Sequence, residues 1–119
     1  MVLSIIRSKV AMERCYEIYK TAQDTEKAYA VFLLASIADV DVLPWVREFL
    51  DDENQSIRWN GLVALRTIVG GPLGDAAIAT AKQLLDKAES GSDPEMRQRA
   101  KQIRSQLAMD HEGLRTNPI

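Results

Sequence analysis

Few side chains in this chain of 119 residues stand where they could do covalent chemistry. His111 is the single histidine and Cys15 the single cysteine. One imidazole cannot build a multi-histidine metal site, and a nucleophile needs a base within hydrogen-bond reach. Cys15 falls among the apolar positions of a helical pattern, where a thiol serves as a small core residue. The segment Gly70-Gly71-Pro72-Leu73-Gly74-Asp75 has the glycines of a phosphate loop but neither the Lys-Ser/Thr ending nor a preceding strand, so it reads as a turn. Asp51-Asp52-Glu53 offers adjacent carboxylates, which lack the alternating oxygen spacing of a calcium loop and read instead as capping and solvated groups. Asn54-Gln55-Ser56 fits the glycosylation triplet, with nothing directing the chain to a secretory route. No catalytic residue, metal ligand or cofactor is assigned.

Other residues are suited to binding. Arg97, Lys101 and Arg104 share one helical face at i, i+4 and i+7, where they could meet phosphates or an acidic protein patch. Asp39, Asp41, Glu48, Asp51, Asp52 and Glu53 crowd one short region opposite Arg47 alone, so the chain is electrically bipolar. Its net charge of -2 gives no global attraction to nucleic acid or to an anionic membrane, both of which are therefore disfavoured as partners. No apolar run approaches the roughly 18 residues of a membrane span, and Arg7, Lys9, Glu13 and Arg14 interrupt the N-terminal segment. A cytoplasmic protein is expected.

The elements that position these residues are helical. Six segments carry a 3.6-residue period and none alternates as a strand would. The first spans about residues 3–21, with Ile6, Val10, Cys15, Ile18 and Tyr19 as core positions. The second spans about 25–38, with Asp24 as N-cap and Lys27, Val31, Leu34 and Ala38 as its stripe. The third, about 42–50, carries Pro44 in its first turn, where a missing N–H costs little. The fourth runs to Val69 and stops at Gly70-Gly71-Pro72; the fifth spans about 75–89; the sixth starts at Pro94 and ends near Met109. Residues 110–119 show no periodicity and are expected as a flexible tail behind a single domain of residues 1–109. Short connections predict three antiparallel hairpins.

The even helices align with one another. Asp24, Asn54 and Asp93 form one column; below it come Lys27, Ile57 and Met96, then Val31, Gly61 and Ala100, then Leu34, Ala64 and Ile103, then Ala38, Ile68 and Leu107. A small residue recurring at one level lets helices approach closely and suggests stacked units. In this register "NQSIRWNGLVAL" and "DPEMRQRAKQI" resemble the second helix of HEAT-type repeats, where a turn with Asp or Asn precedes an apolar residue, an Arg and, three residues on, a small residue. Ile57, Arg58 and Gly61, and Met96, Arg97 and Ala100, carry the match, and "VLPWVREFL" resembles a first-helix partner. The resemblance is good over Val42 to Leu107 and weaker before it, where Ala28 stands in place of the Arg.

That resemblance implies an all-α fold, a short right-handed α-solenoid of three hairpins whose even helices line a shallow inner surface. It implies that Arg58 and Arg97 tie turns together, and that the chain binds rather than catalyses. The register places Tyr29 beside Trp59, Leu33 beside Val63, and Arg66 one turn further, giving Tyr29, Leu33, Trp59, Val63 and Arg66 as the expected contact patch, aromatics beside Arg being common interface anchors. A protein-binding adaptor or a small inhibitor of the immunity-protein type is the first expectation. Nucleic-acid binding along Arg66, Arg97, Lys101 and Arg104 is the alternative, and a subunit of a cofactor lyase stands last.

Overall fold

The computed structural model describes residues 2–113, with side chains for residues 9–23 and 25–111. Its helices are α1 (Val2–Thr21), α2 (Asp24–Ile37), α3 (Leu43–Leu50), α4 (Gln55–Val69), α5 (Asp75–Glu89) and α6 (Pro94–Leu107). A single 3₁₀ turn, Val40–Val42, leads into α3, and no strand occurs among the described residues.

The helix boundaries follow local chemistry. Asn54 Oδ1 accepts from the Ser56 and Ile57 amides at 2.8 and 3.4 Å, and Asp93 Oδ1 accepts from Glu95 and Met96 at 2.9 and 3.4 Å, so two of the three column heads cap their helices. The third differs. Asp24 is the first residue of α2, and Gln23 holds the cap position in extended backbone without a side-chain cap bond. The Gln23 carbonyl already accepts from Glu26 and Lys27, which starts the helix one residue earlier than expected. Pro44 and Pro94 occupy first turns, and α4 stops at Val69 before the paired glycines. Beyond α6 the chain does not turn irregular at residue 110: Ala108–Gly113 continue as a π-helical turn, and His111 Nε2 lies 2.8 Å from the Val69 carbonyl oxygen. The rest of the expected tail lies outside the described residues.

Each even helix packs on its preceding odd helix, α2 on α1, α4 on α3 and α6 on α5; α2, α4 and α6 also lie side by side, as do α3 and α5. One cluster of buried apolar residues runs from Met12 to Leu107. Every member of the four lower columns is buried except Lys27, which is half-buried. In α1 the core face is Met12, Cys15, Tyr16 and Tyr19, an i, i+3, i+4, i+7 stripe. Val10, expected inside, is 60% exposed: two residues before Met12, it falls on the opposite side of the helix. Ile6 lies outside the described side chains.

Gly61 marks a close crossing of α4 on α3. A Cβ at this position would sit 2.9 Å from Phe49 Cβ and 3.4 Å from Leu50 Cδ2, so the small column serves the contact of α4 with α3 inside a helix pair.

Candidate interaction surface

The residues outside the core fall into two groups, those engaged within the fold and those facing outward. The first group locks α1 and α2 onto the following pair. Tyr16 stacks on Trp45 with ring centroids 4.2 Å apart and donates its hydroxyl proton to Glu48; Tyr19 meets Phe49 edge-on and donates to Asp52 at 2.9 Å. Lys20 pairs with Glu48 at 3.2 Å, and Lys27 reaches Asp52 at 3.6 Å while lying over the Tyr19 ring. Burial pushes the Asp52 carboxyl up, but the Asn54 amide, the Tyr19 hydroxyl and the Lys27 ammonium together outweigh it, and its pKa ends below the ordinary carboxylate value. Burial, reinforced by the Asp52 acceptor, raises the Tyr19 phenol.

These shifts set a pH dependence. A carboxylate with a lowered folded pKa adds stability that is complete above its unfolded value of about 4 and is lost as pH falls through the folded value. The raised phenol of Tyr19 adds stability that is complete below about pH 10 and is lost as pH rises through its folded value. Asp52→Asn is therefore expected to lower the urea midpoint at neutral pH, with the gap from the parent chain narrowing below about pH 4. A gap that stays constant through acid titration would show that the Asp52 charge contributes nothing.

The turns are closed by arginines. Arg58 Nη1 donates to the Asp52 and Glu53 carbonyls at 2.7 and 2.8 Å, and Arg97 Nη1 donates to the Gly91 carbonyl at 3.1 Å, each reaching back five or six residues. Gln55 Nε2 donates to Asp93 Oδ2 at 2.9 Å and Lys87 pairs with Asp51 at 2.6 Å, which links one turn to the next. Arg104 is held by Glu89 and Asp86, both at 2.6 Å. Asp39 accepts from the Asp41 amide, and Asp41 pairs with Lys9. Of the two charged patches expected from sequence, the Lys101 and Glu53 side chains have no such partner among the described residues; Arg97, Arg104, Asp39, Asp41, Asp51 and Asp52 all brace the fold.

The second group lies on the even helices. Tyr29, Phe32, Leu33 and Ile37 project outward from α2 with 60, 51, 40 and 39% of their surface exposed, and the Tyr29 and Phe32 rings stack at 6.1 Å. Val40 extends this apolar stripe past the end of the helix. On α4, Trp59 and Val63 are half-buried against the core and Arg66 is exposed. The Arg99 guanidinium of α6 lies 5.2 Å from the Trp59 ring centroid. Beside this pair is a hollow of about 410 Å³ lined by Trp59, Pro94, Glu95, Gln98, Arg99 and Gln102.

A family model described as HEAT repeats matches residues 15–104. The chain belongs to the HEAT-repeat family. No curated protein and no solved structure matches it significantly. In this HEAT-repeat chain the match takes in the C-terminal end of α1, all of α2 to α5 and α6 as far as Arg104, so the second helix of the first pair falls within the family pattern despite Ala28. Arg58 and Arg97 donate to turn carbonyls, as the resemblance implied, but each closes its own turn, and Gln55 with Asp93 and Lys87 with Asp51 tie adjacent turns together.

The expected contact residues are placed on neighbouring helices: Tyr29 and Leu33 on α2, and Trp59, Val63 and Arg66 on α4. Their closest aromatic and cationic partners were not foreseen, since Tyr29 stacks on Phe32 and Trp59 lies under Arg99. Phe32, Ile37 and Arg99 are the residues that sequence reasoning passed over. The signal was available in α2, which carries apolar residues all round its circumference, more than one buried stripe can absorb. The described residues hold no group of three or more His, Cys, Asp or Glu able to hold a metal, and no helix among them is long and apolar enough to cross a membrane. Burial raises the Cys15 thiol, which keeps it from the thiolate form.

Proposed function

We propose that this HEAT-repeat chain is a non-enzymatic protein-binding module. Its three helix pairs stack as a short right-handed solenoid forming one domain, and the outward face of its even helices receives another protein. An adaptor, or a small inhibitor that caps a toxin in the manner of immunity proteins, is the role in view. The observation that carries the reading is the apolar stripe Tyr29, Phe32, Leu33 and Ile37 on α2. Single exposed apolar residues are ordinary, but an aligned row on one helix exposes a contiguous surface that association removes from water. Rows of equivalent residues are what stacked repeats offer a partner.

Leu33→Asp places a charge in this row without touching the core. Affinity purification from the native host is expected to lose the partner recovered by the parent chain, with circular dichroism and the urea midpoint unchanged. Equal recovery of every protein by Leu33→Asp and by the parent would sink the reading.

A further inference from the structure

We infer that the occupant of this face is an acidic amphipathic peptide segment, with apolar side chains gathered at one end to seat on α2 and carboxylates at the other to meet α4 and α6. The inference rests on the binding reading above and specifies the partner's chemistry. Charge is the first argument. Most cations of the described chain are matched internally, among them Lys9 with Asp41, Lys20 with Glu48, Lys27 with Asp52, Lys87 with Asp51, and Arg104 with Asp86 and Glu89. Arg66 and Lys101 are exposed and have no hydrogen bond or ion pair among the described residues, and Arg99 meets an indole instead of a carboxylate. Three of the four cations without a hydrogen bond or ion pair among the described residues thus lie on α4 and α6, the fourth being Arg47 on α3, in a chain whose net charge is -2. Such a face attracts and orients a partner of opposite sign.

Position is the second argument. The column register puts Lys101 at the level of Phe32, and Arg66 at the level of Ser36, between Leu33 and Ile37. By these levels the cations lie one and two helices away from the apolar stripe. Packed helices lie about 8–10 Å apart, so an occupant touching both zones must cross the even helices and span roughly 16–20 Å. About twelve residues of helix cover that distance, and a helix laid in an apolar groove is a common recognition mode.

Other occupants fit less well. Three cations are few beside the roughly six to ten phosphate contacts of strongly salt-dependent nucleic-acid binders. A second copy of the chain offers an acidic band whose carboxylates already hold Lys9, Lys20, Lys27 and Lys87.

The test is selection of random peptides of about sixteen residues, long enough as a helix to cross the face, displayed on phage and panned on the full chain. Selected sequences are expected to concentrate apolar residues in one half and Asp or Glu in the other. A synthetic peptide of the selected consensus should bind about ten-fold more weakly to Phe32→Ser or Leu33→Ser. It should weaken several-fold on Arg66→Glu combined with Lys101→Glu, and a version with its acids replaced by lysines should recover binding to that double variant. Circular dichroism keeps loss of fold apart from loss of contact. Peptides that depend on Phe32 and Leu33 but carry no acidic half overturn the inference and leave the binding face standing. Peptides indifferent to the α2 variants, or no selected peptide, overturn both. Concentration-dependent dimerisation abolished by Leu33→Ser, or oligothymidylate that displaces the peptide with a steep salt dependence, gives the face another occupant and overturns the inference.

Discussion

Phe49→Ala is expected to cost about 3–5 kcal/mol of folding stability, the largest effect of any single truncation considered for this chain. Phe49 is fully buried on α3, its ring meets the edge of Tyr19 from α1 with centroids 4.8 Å apart, and its Cβ lies against Gly61 of α4. The side chain thus joins three helices, and removing the ring leaves a cavity whose walls belong to different helix pairs and cannot all collapse inward. Domains of this size are stable by only about 5–15 kcal/mol, so the loss takes a large share of the total. Urea melts followed by far-ultraviolet circular dichroism measure it. Phe49→Leu, which keeps most of the volume, is expected to melt between the parent and Phe49→Ala, and supplies a reading if the alanine variant does not fold. Trp45→Ala provides the contrast: Trp45 is half-buried and stacks on Tyr16, so its loss should be smaller. A midpoint shift for Phe49→Ala no larger than that for Trp45→Ala would displace Phe49 from the centre of the junction.

The helices were legible because their signals are local. Asn54, Asp93, Pro44, Pro94 and the Gly70-Gly71-Pro72 breaker act within one turn of their own backbone, and α4 and α5 occupy the spans their residues predict. The column register was legible for a similar reason, since burial repeats wherever equivalent turns meet equivalent neighbours. The exceptions have physical causes. Val10 is apolar and at helical spacing, but which side of α1 is buried depends on where α2 lies, a fact held in no window of α1 alone. Asp24 has the chemistry of a cap, but the carbonyl of Gln23 starts the helix one residue before it.

The surface was less legible than the core. A charged residue in the sequence announces only its charge, and whether it stabilises the fold or faces a partner depends on residues far away along the chain. Arg104 was grouped with Lys101 by spacing, yet Glu89 and Asp86 on the facing helix hold one and leave the other free. Asp52 looked like a solvated member of an acidic run, whereas Tyr19, thirty-three positions earlier, donates to it. Phe32 was hidden for the converse reason: an aromatic one residue before Leu33 and one after Val31 reads as core, until Val31, Leu34 and Ala35 are seen to fill the interior and leave Phe32 outside.

Gly61→Leu is expected to destabilise the chain by about 1–3 kcal/mol through overpacking, and its sign tests how the repeat is built. Two effects compete. Gly in a helix interior costs up to about 1 kcal/mol relative to Ala, and Leu is a strong helix former, so an exposed glycine would give a more stable variant. At Gly61, however, even the first carbon of a side chain would meet Phe49 Cβ at 2.9 Å and crowd Leu50. Phe49 Cβ is fixed to the α3 backbone and cannot rotate away, so α3 and α4 must separate, loosening the contact in which Phe49 is buried. The same geometry makes Gly61→Ala unfavourable as well, by less. It also predicts that Phe49→Leu does not rescue Gly61→Ala, because leucine retains the offending carbon. Urea melts of the single variants and the double variant decide the matter: the midpoint should fall in both Gly61 variants with slope unchanged, and the Phe49→Leu, Gly61→Ala double variant should melt no higher than Gly61→Ala. A raised midpoint for Gly61→Leu would mean that α4 does not approach α3 through this glycine.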